Sequence, residues 1–151
     1  MRVSAYLWGM SIGTIDDLLA DFEILDDWEE RYRYVIELGR SLPAFKEEWR
    51  TSTYKVSGCA SRVWIHPDYK KTPAGLVVNL TGDSDALIVK GLIAIAFMIF
   101  SGKTVEQILA QDAAAVFGKL GLKDHLTPQR SNGLASMVER IKSDARLGLR
   151  A

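Results

Sequence analysis

The chain of 151 residues has little of what most metal and redox sites need. It holds one cysteine, Cys59, and two histidines, His66 and His125. One cysteine excludes an internal disulfide framework and a four-thiolate zinc or iron–sulfur site built by one chain. Two scattered histidines make a poor metal set beside it, so neither metal nor cofactor is expected. Net charge is absent too, with 19 Lys and Arg against 19 Asp and Glu. No global field draws nucleic acid or an anionic membrane. The longest apolar run, Ala86 to Phe100, is interrupted by Lys90 and is short for the roughly 20 residues of a membrane span. It reads instead as a buried core helix. Residues 1–13 carry no clear secretory signal and read as a flexible extension. A free thiol without a disulfide partner suits a reducing cytoplasm.

Ordinary material fills the rest. Hydrophobic residues make up 48% and charged residues 25%, enough for one well-packed domain over 14–151. Thr14 caps a first helix carrying Ile15, Leu18, Leu19 and Phe22, and Asp26 or Asp27 caps a second with Trp28, Tyr32, Val35 and Ile36 inward. Pro43 stops continuation, and Ala44 to Arg50 reads as a short helix or a loop. Extended pattern follows: Tyr54–Ser57, Ala60–His66, and the period-two stretch Leu76 to Thr81. His66-Pro67-Asp68 opens a turn, and Lys70 to Gly75 reads as loop. A helix then runs from Asp85 to about Ser101. Thr104 and Gln107 have capping-box spacing, Asp112 caps a helix ended by Gly121, and Thr127-Pro128 opens the last one. Its buried stripe is Leu134, Met137, Val138, Ile141 and Ala145. Helices, a few strands joined by short connections, then helices again: the order predicts an α+β fold, a small antiparallel three-stranded sheet packed against helices.

Cys59 sits between two apolar stretches and directly after Gly58, at a corner with few steric demands. Burial as a small hydrophobe is the common fate of a lone cysteine. Lys55 and Arg62 point the other way, since a nearby cation lowers a thiol's pKa and raises its reactivity. A hydrolytic or acyl-transfer site would need a Cys–His pair, and His125 is the candidate partner.

Three blocks in order carry a resemblance: Gly58-Cys59-x-Ser61-x-Val63-Trp64, Gly82-Asp83-Ser84-Asp85-Ala86-Leu87-Ile88-Val89-Lys90-Gly91-Leu92-Ile93, and His125-Leu126-Thr127-Pro128-Gln129-Arg130-Ser131-Asn132-Gly133-Leu134. Together they resemble the SufE family, sulfur acceptors that partner cysteine desulfurases. The likeness spans about Ile15 to Ile141, and Ala60 departs from a glutamine common in the family. It implies a fold shared with certain iron–sulfur scaffold proteins and a sulfur-carrying role for Cys59. It further implies loop or partner-binding roles for Gly58, Ser61, Asp85 and Arg130, with no metal. The implied partners are a SufS-type cysteine desulfurase as donor and an iron–sulfur assembly complex as receiver. Monomer and homodimer both stay open. Two other readings fit the residues: a non-catalytic adaptor for a desulfurase, and a cysteine-dependent enzyme acting on a small molecule.

Overall fold

The computed structural model describes residues 14–150. The expected extension, 1–13, lies outside them.

Helix α1 (Ile15–Ile24) starts from a capping box in which Thr14 and Asp17 each accept the other's backbone N–H. Helix α2 (Trp28–Arg40) is capped by Asp27, whose carboxylate accepts from the Glu30 amide at 2.8 Å. A single 3-10 turn, Glu47–Trp49, is all that Ala44 to Arg50 makes of a helix.

Strands β1 (Val63–Thr72) and β2 (Gly75–Ser84) form one long antiparallel hairpin. Helix α3 (Leu87–Phe100) crosses the sheet, and a two-residue strand β3 (Lys103–Thr104) completes the order β1-β2-β3. Short helices α4 (Val105–Ala110), α5 (Ala113–Lys119) and α6 (Leu122–His125) lead to the long helix α7 (Pro128–Gly148). Thr104, Asp112 and Thr127 serve as the expected caps.

The architecture is the expected α+β sheet with helices, but its strands are partly different ones. Tyr54–Ser57 is not a strand. It makes one bridge, Lys55 to Trp64, on the outer edge of β1. The third strand is Lys103–Thr104 instead. His66-Pro67-Asp68 does not turn, and Lys70 to Gly75 is not a loop; the hairpin continues to Thr72 and Gly75. Proline is tolerated at Pro67 because β1 lies at the edge of the sheet, where one row of N–H groups has no ladder partner to lose. The turn residues are Pro73 and Ala74, closed by the Thr72 hydroxyl donating to the Gly75 carbonyl at 2.8 Å.

Helix α3 is the centre of the core. Leu92, Ile93, Ile95, Ile99 and Phe100 are fully buried, between α1 and α2 on one side and the sheet and α7 on the other. This accounts for a sequence apolar nearly all round. Among the described residues no helix is long and apolar enough to cross a membrane. Gly39 on α2 and Gly91 on α3 meet at the crossing. A Cβ on Gly91 would stand 2.1 Å from the Val35 carbonyl oxygen, so the two helices can be this close only without it.

Candidate functional site: a thiol held against a helix

The loop between the Lys55 bridge and β1 brings Cys59 to the first turns of α7. Val56 and Val63 anchor its two ends in the core, at 3% and 0% exposure, joined by the Val56 amide donating to the Val63 carbonyl at 2.8 Å. Gly58 has φ of +90°, a conformation that side chains resist. It also passes close to α7: a Cβ there would lie 2.5 Å from the Ser136 hydroxyl. The backbone angle is what requires glycine at this position, since the hydroxyl is the tip of a side chain that can rotate aside.

Cys59 is half-buried, and its thiol donates to the Gly133 carbonyl at 3.5 Å. Gly133 offers a flat patch of helix, and a Cβ added there would stand 3.6 Å from the sulfur. Burial pushes the Cys59 thiol above its ordinary pKa. This is the reverse of the lowering expected from Lys55 and Arg62, whose side chains are exposed while the sulfur faces the helix. In this position the sulfur is a protonated thiol at neutral pH, shielded and weakly nucleophilic.

The cleft around it has a volume of about 220 Å³. Ser61, Val89, Leu92, Thr127, Arg130 and Met137 share in lining it. Ser61 is thus at the sulfur's side of the loop. Arg130 stands exposed at the rim, its amide tied to the Thr127 hydroxyl at 3.3 Å. Asp85 does not begin α3, whose N-cap is Ala86. Its carboxylate accepts instead from the Arg62 amide at 3.1 Å and ties down the outgoing limb of the loop. Asp83, from the same block, is structural. Burial opposes its charge, but Arg50 at 2.5 Å and Lys90 at 3.3 Å, with the Ser84 amide, hold its carboxyl below the usual range.

Neither histidine reaches the sulfur. His125 stacks on Trp28 with ring centroids 3.8 Å apart, and His66 stacks on Trp49 at the same distance. The Cys59–His125 pair that an acyl-transfer reading requires is absent from the cleft. Among the described residues no three His, Cys, Asp or Glu side chains are grouped to hold a metal ion. A larger groove of about 580 Å³, between α7 and α4 to α6, is mainly apolar and has neither cysteine nor histidine in its lining.

Sequence reasoning missed Ser136 and Arg140. Arg140 Nη1 donates to the Lys55 carbonyl at 3.0 Å, Nη2 donates to the Thr53 carbonyl, and Nε meets both carboxylate oxygens of Asp144. A signal existed. Gly133, Ser136, Met137, Arg140 and Asp144 recur at helical spacing along the stripe that the apolar residues already mark.

The family model described as "SufE: Fe-S metabolism associated domain" matches residues 16–145. The chain belongs to the SufE family. An uncharacterised SufE-like protein of Rhizobium etli is 49% identical over 136 residues, covering 90% of this chain and 92% of that one. A second, of Rhizobium meliloti, is 51% identical over 132 residues, covering 87% and 94%. The solution structure of a hypothetical protein from Thermus thermophilus superposes with a TM-score of 0.71 over 94% of this chain and 100% of that one. At 22% identity it speaks for the fold. The SufE match links the chain to iron–sulfur metabolism, and the thiol cleft lies inside the matched span.

Proposed function

We propose that the protein accepts sulfur from a cysteine desulfurase as a persulfide on Cys59, stimulates that enzyme by removing its product, and passes the sulfur to iron–sulfur cluster assembly in the cytoplasm. The observation that carries this reading is a lone thiol, on a glycine corner, held against the body by one weak sulfur hydrogen bond. The chemistry is thiol–disulfide exchange. The Cys59 thiolate attacks the outer sulfur of the donor's persulfide. A new S–S bond forms, the donor's S–S bond breaks, and the donor cysteine leaves as a thiolate that takes up the proton Cys59 gave. The sulfane sulfur keeps its oxidation level, so the step needs neither oxidant nor metal.

Attack requires the sulfur to leave the cleft, where water would restore its ordinary acidity. Shielding protects it while it waits. Both are served if the loop has two positions and the donor binds the outer one better. With a single cysteine there is no resolving thiol in the chain, so the sulfur must leave to another protein.

The reading is tested by alanine production from cysteine by a purified desulfurase, which should rise severalfold when this protein is added. Arg130→Ala should shift the half-maximal concentration upward by roughly tenfold with folding unaffected, as for loss of an exposed partner contact. Arg130 is exposed at the cleft rim, on the first turn of α7, where a cation gains nothing from the helix dipole. Superimposable titration curves would remove Arg130 from the docking surface, and no stimulation by the parent chain would remove the reading itself.

A further inference from the structure

The incoming limb of the Cys59 loop leaves a turn in which the Tyr54 and Lys55 amides both donate to the Thr51 carbonyl, at 3.3 and 3.1 Å. Tyr54 turns its carbonyl toward β1 and accepts from the Ile65 amide at 2.9 Å. The carbonyls of Lys55 and Thr53 face α7 instead. The Arg140 guanidinium takes both of them and is itself oriented by Asp144 through Nε, at 3.1 and 3.2 Å. Asp144 is 4% exposed. Burial raises its pKa above the usual carboxylate value, Arg140 acting against that shift. Groups facing this pair from other elements are His66 and Tyr69 of β1, the Tyr69 hydroxyl donating to the Asp144 carbonyl at 2.6 Å.

One helix thus touches the loop at three levels: Arg140 on the limb, Ser136 against Gly58, and Gly133 under the sulfur. We propose that Arg140, held by Asp144, is a positioning residue for Cys59: it fixes the limb at Thr53–Lys55, so that the corner beyond it lays the thiol over Gly133. The clamp also sets where movement begins. Everything up to Lys55 is tied to α7 and β1, Asp85 ties Arg62, and the part free to swing is the short arc carrying Gly58 and Cys59. A planar guanidinium is suited to this because it spends separate N–H groups on a carboxylate and two carbonyls at once; an ammonium cannot span all three. The functional consequence rests on the sulfur-acceptor reading, but the clamp can be tested without it.

The test is the rate at which iodoacetamide labels Cys59 in the full chain at fixed pH. Arg140→Lys keeps a cation beside buried Asp144 and so keeps the fold. It should label roughly tenfold faster, as expected for a local opening made easier. The double variant Arg140→Met, Asp144→Leu, which removes both charges together, should do the same. Glu139→Gln, an exposed neighbour on α7, should label at the parent rate. Amide hydrogen exchange separates positioning from general loosening: it should quicken at Val56 and Ile65, which join limb to β1, and stay unchanged along α3. Parent-like labelling in both Arg140 variants overturns the clamp, as does faster exchange spread equally through α3. Either result leaves the acceptor reading standing. A parent chain that takes no sulfur from a desulfurase sinks that reading and leaves the clamp untouched.

Discussion

Cys59→Ser should reduce sulfur acceptance and desulfurase stimulation under turnover to background, with a folded protein remaining. The hydroxyl has nearly the volume of the thiol and can donate to the Gly133 carbonyl that the thiol now reaches at 3.5 Å. The structural cost is therefore about 1 kcal/mol or less. Function should fall out of proportion, because an alcohol is neither ionised at neutral pH nor able to form the S–S bond on which the transfer depends. The measurement is alanine release by the desulfurase against added protein, beside a thermal melt. A serine variant that stimulates fully would mean that the protein acts by docking alone, the adaptor reading.

Gly91→Ala should be the most damaging small substitution in the core. Its Cβ would stand 2.1 Å from the Val35 carbonyl oxygen and 2.4 Å from Val35 Cγ1. Backbone cannot step aside as a side-chain tip can, so α2 and α3 must separate. Overpacking commonly costs about 1–3 kcal/mol, and a backbone clash belongs at or beyond the top of that range. For a chain of this size that lowers the melting temperature by roughly 10 °C. A parent-like melt would show that the two helices have slack at their crossing. The effect belongs to stability: at temperatures where the variant is folded, Cys59 should still accept sulfur.

Gly91 also shows what the sequence could and could not say. It lies in the second of the three blocks carrying the family resemblance, yet nothing in the block states its reason. That reason is a helix crossing with Gly39, far earlier in the chain, which appears only when both helices are placed. Caps were legible because their physics is local: Thr14, Asp27, Thr104, Asp112 and Thr127 each bond an amide three residues on. The hairpin was half legible. Burial alternates along β2 from Val78 to Ser84, but Lys70, Lys71 and Gly75 stand exposed at the far end of the hairpin, so the rhythm that marks a strand fades there. Pro67 and Asp68 looked like a turn because edge position is a property of the sheet, not of the residues.

At the site, the corner at Gly58 could be read directly. The sign of the thiol's shift could not. Lys55 and Arg62 are close in sequence, but what decides is the desolvation imposed by α7, whose Gly133 lies 74 residues away. Arg140 escaped notice for the same reason. An arginine one turn after Met137 reads as a solvated residue until the carbonyls of Thr53 and Lys55 are seen to face it.

The central claim is that Cys59 carries sulfur, and intact-mass spectrometry tests it most directly. The protein is mixed with a desulfurase and cysteine, quenched without reductant, and weighed. The account predicts a population heavier by one sulfur atom, located on Cys59 by fragmentation, removed by added thiol reductant and missing from Cys59→Ser. A protein that stimulates the desulfurase yet emerges with unchanged mass at every time sampled would contradict it.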